Sequence, residues 1–176
     1  PDAKTYAAAK NTRLFKLDRE SGRLVGEYIY QLDDPQTFGL DPSEKQNAPR
    51  ISEVTALGLD RLLVLERTDG TTKLHEVTLE GATNILGSRW DDPSTSPSLE
   101  AGNALGPLNL VAVPKTLRFD TSRDYRDAPV KIEGVAFLGD GSMALINDND
   151  FGINGDATSI LVVKGAVSAD PALWRR

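Results

Sequence analysis

Apolar and polar residues alternate with period two along most of the chain, and Gly, Asp, Asn and Ser repeatedly interrupt the alternation. This is the pattern of short antiparallel strands joined by turns. Arg13 to Asp18 alternates, Ser21-Gly22 signals a turn, and Leu24 to Leu32 is rich in Val, Ile and Tyr, which together predict a hairpin. A short helical turn is predicted before it, over Ala3 to Lys10. Residues 33–49 hold Pro35, Pro42 and Pro49 among many polar groups and read as a loop or surface excursion. A strand is predicted up to Leu57, a turn over Gly58 to Asp60, an apolar strand over Leu62 to Leu65, and an alternating strand over Lys73 to Leu79. Residues 87–109 are rich in Ser, Pro, Asn and Gly and predict one long loop with a short helix near Leu99 to Ala101. Strand character resumes at Leu110 to Val113, at Thr116 to Phe119 and at Thr158 to Lys164.

The segment that starts at Lys131 overlays the segment that starts at Arg50 without a gap, at an offset of 81 residues. Ile51 meets Ile132, Val54 meets Val135, Leu57 meets Leu138 and Gly58 meets Gly139. Leu62 meets Met143, Val64 meets Leu145 and Leu65 meets Ile146. Both copies read as strand, turn, apolar strand, polar end, which is a repeated β-meander.

Repeated meanders with apolar inner strands predict an all-β fold, a partial β-propeller made of four-stranded antiparallel blades. A blade needs about 40–50 residues, so the offset is read as one blade with a long insertion at 87–109, two divergent blades being the other reading. Strands near 51–57, 61–67, 72–79 and 110–119 then form one blade, 10–32 gives outer strands of a preceding one, and 131–164 gives at least three strands of a following one. About two and a half blades do not close a ring, so the expectation is an incomplete ring that continues in a longer protein or in a separate chain supplying the N-terminal half. A self-contained β-sandwich is the rival architecture.

Composition narrows the chemistry. The 176 residues suffice for one ordinary domain, and a net charge of -6 with no basic run argues against a general nucleic-acid binder. Cysteine is absent and His75 is the sole histidine, which excludes disulfides, thiolate metal sites and histidine-rich zinc sites built within this chain. No apolar run is long enough for a membrane-spanning helix. A hard-metal site would be made of carboxylates, amides and carbonyls.

Three groups are candidates for such work. Glu133, in Lys131-Ile132-Glu133-Gly134, places a carboxylate in an apolar strand, where converging acids favour a bound cation; the plain alternative is an edge glutamate. Asn147-Asp148-Asn149-Asp150 gives consecutive oxygen-bearing side chains after an apolar strand, which suits calcium through Asp148, Asn149 and Asp150, or else a polar turn closed by Asx hydrogen bonds. Glu53, Glu66 and Arg67 form the third group: a glutamate as base, Arg67 or Arg50 as a guanidinium fork for a phosphate or carboxylate, or an ion pair holding loops. Strict register would put Glu53 and Glu133 on opposite strand faces, which a bulge would reverse. His75 is predicted to be a solvated strand histidine, and Asn154-Gly155-Asp156 a plain turn. Ser94, Ser96 and Ser98 lack a nucleophile elbow, and Trp90 and Trp174 are expected to pack against loops.

The segments Arg50-Ile51-Ser52-Glu53, Leu63-Val64-Leu65-Glu66-Arg67, Lys131-Ile132-Glu133-Gly134 and Asn147-Asp148-Asn149-Asp150-Phe151-Gly152 resemble the phytase-like family, described as having an esterase-like activity of phytase. Leu74 to Thr83, Pro114-Lys115 and the Asp18 to Tyr30 hairpin extend the resemblance over roughly residues 13–164. It implies that residues 1–176 are the C-terminal part of a single propeller domain in a bacterial, periplasmic or extracellular protein. It also implies calcium near the axial channel and hydrolysis of a phosphate ester, with Glu133 and the 148–150 run as metal ligands and Glu53, Glu66 and Arg67 next in rank. The competing expectations are a non-enzymatic propeller that binds a protein or glycan partner through the 33–49 and 87–109 loops, and a structural half of a processed propeller.

Overall fold

A computed structural model describes residues 3–138, 140–153 and 155–170. The matched position Gly139, the turn residue Asn154 and Trp174 lie outside the described residues. The chain divides into two compact units, residues 1–33, 45–47 and 78–114, and residues 34–44, 48–77 and 115–176.

The first unit opens with helix α1 (Ala3–Ala8) and the hairpin of β1 (Asn11–Leu17) and β2 (Leu24–Gln31). Asp18 builds the turn between them: its Oδ1 accepts from the Ser21 amide at 2.8 Å and from the Ser21 hydroxyl at 2.6 Å. A 3-10 turn does form at Leu99–Ala101 within the long loop. Leu110 to Val113 is not a strand. Val113 N–H donates to the Ile29 carbonyl at 2.8 Å, while Val111 N–H is taken at 2.9 Å by the Thr83 hydroxyl and Pro114 follows. A ladder cannot propagate where the Val111 amide is lost to a side chain and Pro114, directly after Val113, has none to give. Ile29, Ile85, Leu99 and Leu105 make the core of this unit.

The second unit holds two antiparallel sheets. One has the order β3 (Arg50–Gly58), β4 (Arg61–Arg67), β5 (Thr72–Thr78), β6 (Lys115–Asp120), and the other β7 (Ile132–Phe137), β8 (Met143–Asn147), β9 (Ile160–Val163). The described residues are thus mostly β, in antiparallel sheets of 2, 4 and 3 strands. A helical turn, α2 (Thr121–Asp124), follows β6 and was not foreseen; Asp120 caps it by accepting from the Ser122 amide at 2.8 Å.

The internal repeat is real at the level of register. Ile51 pairs with Glu66 as Ile132 pairs with Asn147, Val54 with Val64 as Val135 with Leu145, and Ala56 with Leu62 as Phe137 with Met143. Both hairpins bulge at the same place, at Ser52 in the first copy and at Glu133 in the second. Strand β3 lies beside β7. The core joins the copies, since Leu57, Leu63 and Leu65 of one cluster with Ile132, Met143 and Leu145 of the other. Each such side chain contributes about 2 kcal/mol when fully buried, which fixes the two sheets together. The match in burial fails at two pairs: Leu57 and Leu65 are buried, but Leu138 and Ile146 are half exposed.

The 33–49 stretch is less of a surface excursion than its composition predicts. Pro35–Thr37 forms a 3-10 turn, and Phe38 is fully buried with the Lys73 ammonium 4.2 Å from its ring centroid. Lys73 Nζ also donates to Thr37 Oγ1 at 2.6 Å, which satisfies a lysine that is itself buried.

Candidate functional site

The polar ends of the two repeats meet within the second unit. In each hairpin the bulge turns out one extra residue, Ser52 or Glu133. The Arg67 guanidinium, at the end of β4, reaches both. Its Nε donates to Ser52 Oγ at 3.0 Å, and its Nη2 donates to Glu133 Oε1 in a close ion pair. Nη1 donates to the Thr68 carbonyl at 3.1 Å and to Asp69 Oδ1 at 3.3 Å. The Arg67 side chain is only 4% exposed, so these contacts replace its hydration. Burial, and then the like charge of Arg50, draw its pKa below the ordinary guanidinium value, while Asp69 and Asp148 oppose the shift.

A second motif also recurs at the same offset. Arg50 Nη2 lies 3.6 Å from Asp69 Oδ1, and Lys131, equivalent to Arg50, is ion-paired with Asp150, equivalent to Asp69. The Asp150 hydrogen bond raises the Lys131 pKa, and Asp69 and Asp148 add to the effect. One backbone bond links the copies, Lys131 N–H donating to the Asp69 carbonyl at 2.7 Å, and Asp148 N–H donates to the Lys131 carbonyl at 2.9 Å within the second copy. Lys131, Asp150 and Phe151 all have positive φ (52°, 48° and 57°), a conformation that costs a residue with a Cβ about 1–3 kcal/mol. Strain gathered at one spot, next to a Phe151 that is 97% exposed, is typical of functional surfaces.

The acidic run forms a turn: Asp148 Oδ1 accepts from Asp150 N–H at 2.9 Å, and Asn149 Nδ2 donates to the Asp156 carbonyl at 3.4 Å. Glu133, Asp148, Asn149 and Asp150 offer side-chain oxygens alone as ligands, a donor set that fits a hard cation such as calcium, although Arg67 and Lys131 already share two of these carboxylates. Gly134 permits a close approach of its cross-strand neighbour. A Cβ there would lie 2.9 Å from Cγ2 of Ile146, its cross-strand partner, so a side chain and not backbone crowds it.

The remaining candidates lie elsewhere on the same sheets. Arg50 is 54% exposed and, among the described residues, its guanidinium is given one loose ion pair, to Asp69. Glu53 sits one residue beyond the bulge, opposite Leu65, and its Oε1 accepts from Val54 N–H at 3.2 Å. Glu66 is fully buried, with Lys115 Nζ 3.2 Å and His75 Nε2 3.8 Å from its Oε2. His75 is therefore not a solvated strand histidine: it is 3% exposed, with its Nε2 beside Glu66. The strand register Leu74 to Val77 is buried on both faces at its start, which period-two reasoning does not detect.

Two participants were missed by sequence reasoning. Asp69 is one, although the repeat carried as far as Asp150 identifies it. Asp41, in the proline-rich stretch, clamps the β4–β5 turn. Its Oδ1 accepts from Thr68 Oγ1 at 2.6 Å and Thr71 Oγ1 at 2.8 Å, and its Oδ2 from Gly70 N–H at 2.7 Å.

The chain is thus a mostly β protein with a repeated hairpin whose two copies join their charged ends through one buried arginine. It belongs to the phytase-like family, described as esterase-like activity of phytase, which its sequence matches over residues 1–151. No curated protein and no solved structure matches it.

Proposed function

We propose that the chain forms part of a β-propeller whose repeat ends bind and hydrolyse a phosphate ester with the help of calcium. Family membership carries the reading. In it, β3 to β6 are one blade, β7 to β9 belong to the next, and β3 and β7 are neighbouring inner strands. Arg50, exposed and loosely paired, grips the phosphate through two parallel N–H bonds. Arg67 is committed to Ser52, Asp69 and Glu133, so its part is to hold Glu133 in place. Glu133 is 39% exposed and is the glutamate best placed to take a proton from water; Glu66 is buried against Lys115 and Glu53 faces Leu65. Calcium would be held by Glu133, Asp148, Asn149 and Asp150, and supplies positive charge for phosphoryl oxygens in a protein of net charge -6. An exported, periplasmic or extracellular location belongs to the same reading.

The test is phosphate release by the full-length protein from a panel that includes inositol hexakisphosphate, nitrophenyl phosphate and a lactone, with calcium and after chelation. The expected result is calcium-dependent release, reduced by about a hundredfold in Arg50→Ala. Absence of metal-dependent turnover on every member overturns the enzymatic reading. If chelation lowers the melting temperature with no turnover to lose, the protein is a binding module with a calcium staple.

A further inference from the structure

The long 87–109 loop forms a cavity of about 330 Å³ within the first unit, lined by Trp90, Pro93 and Leu99 on one hand and by Asp91, Asp92 and Glu100 on the other. That is the lower end of the range for small-ligand sites, roughly 300–1,000 Å³. Its walls are fixed before any ligand arrives. Asp91 Oδ2 accepts from Gly87 N–H at 2.8 Å, Asp92 Oδ1 accepts from the Ser94 amide at 2.8 Å and hydroxyl at 2.7 Å, and Thr95 Oγ1 donates to the Arg89 carbonyl. A preformed site avoids the entropy of ordering a loop on binding.

The charge of the cavity decides what fits. Arg13 is the cation in its lining, and it is already engaged: Nε donates to Glu100 Oε1 at 2.7 Å, and Nη1 donates to Glu27 Oε1 and to the Trp90 carbonyl. Glu27 is 1% exposed, so a further negative charge lies buried behind Arg13. An anionic ligand would meet net negative charge, and three of the five N–H donors of Arg13 are already taken by Glu100, Glu27 and the Trp90 carbonyl. A neutral ligand rich in hydroxyls meets carboxylate acceptors at fixed positions, Ser98 as a further partner, and the indole of Trp90, one face of which is already taken by the Arg89 guanidinium 4.6 Å from the ring centroid, as an apolar wall. The C–H face of a pyranose combined with its ring of hydroxyls has that dual character.

We propose that the Trp90 cavity binds a neutral sugar, one or two rings in size. This site is independent of the phosphate chemistry assigned to the second unit. The test is isothermal titration and saturation-transfer NMR of the full-length protein against a panel of neutral mono- and oligosaccharides, with choline and cadaverine as cationic probes. Binding of at least one sugar is expected, weakened about tenfold or more in Trp90→Ala and less in Trp90→Phe. Asp92→Asn keeps an oxygen for the Ser94 contacts and so preserves the loop, yet is expected to weaken the same sugar several-fold. It decides the matter if Trp90→Ala does not fold. The proposal is overturned if no sugar binds, if the cationic probes alone bind, or if the bound sugar is indifferent to Asp92→Asn and to either Trp90 variant.

Discussion

Ser52 and Glu133 occupy the same position in the two repeats, each as the extra residue of a bulge, and the Arg67 guanidinium bonds to both. A hydroxyl in one copy and a carboxylate in the other therefore share one buried cation. Had both positions been glutamate, two acids would compete for it. Arg67→Ala removes four hydrogen bonds or ion pairs and a buried stem together, and is expected to cost about 3 kcal/mol in urea unfolding. Ser52→Ala removes one bond between a neutral hydroxyl and the charged guanidinium and should cost about 1.5 kcal/mol. A double-mutant cycle between Arg67→Ala and Glu133→Gln should give a coupling above about 0.5 kcal/mol; additivity would show that the pair does not hold the repeats together.

Gly134 and Ile146 face each other across β7 and β8, and an added Cβ would stand 2.9 Å from Ile146 Cγ2. That atom is on a β-branched side chain, which is stiff about χ1. Gly134→Ala is expected to cost about 1–2 kcal/mol, and Ile146→Ala in the same chain should recover most of it by removing the methyl. If the single substitution is neutral, the strand is not held where Gly134 places it.

On the four-stranded sheet, Glu76 of β5 bridges Arg61 of β4 and Arg118 of β6. Its Oε1 accepts from Arg61 at 3.0 and 2.6 Å, and its Oε2 from Arg118 at 2.8 Å. Burial pushes the Glu76 pKa up, but the two arginines more than offset it and hold it below the ordinary 4.5. The folded state therefore binds this proton less readily than the unfolded one. The resulting stabilisation is present above the unfolded value and is lost as pH falls through the lower folded one. Both arginines are well exposed, so the contribution at neutral pH is about 1 kcal/mol or less. Glu76→Gln should destabilise at about pH 7 and be nearly neutral at about pH 3. Equal destabilisation at both would assign the effect to packing.

The hairpins and the repeat were legible because period-two alternation and turn residues act locally. The same alternation over Leu110 to Val113 misled, since what decides a strand is a partner for each amide, and here Thr83 and Ile29 divide them. Glu133 was found because a glutamate stands out in an apolar strand. Its partner Arg67 was legible as a residue but not as a partner, because the separation of 66 positions is closed only by folding. His75 looked solvated because its strand was assumed to expose one face, while it is in fact buried beside Glu66. Asp41 gave no signal at all: an aspartate beside Pro42 reads as ordinary loop chemistry.

Asp41 nonetheless governs the turn that carries Asp69 into the charged notch. Its carboxylate takes three hydrogen bonds, from Thr68, Thr71 and Gly70, and Gly70 is packed so closely that a Cβ there would lie 3.0 Å from Asp41 Cγ. Bonds to a carboxylate are worth about 1.5–3 kcal/mol each at most and are not additive. Asp41→Ala is therefore expected to cost about 3 kcal/mol. Asp41→Asn keeps the oxygen for both hydroxyls but turns an NH₂ or a weaker acceptor toward Gly70 N–H, and should cost less. Because the Asp69 carbonyl accepts from Lys131 N–H, the loss should travel. Amide exchange should quicken at Gly70 and Thr71 and also at Lys131, in the other repeat. Faster exchange confined to Gly70 and Thr71 would mean that the β4–β5 turn does not hold the second copy, and that the interlocking of the two ends rests on Arg67 alone.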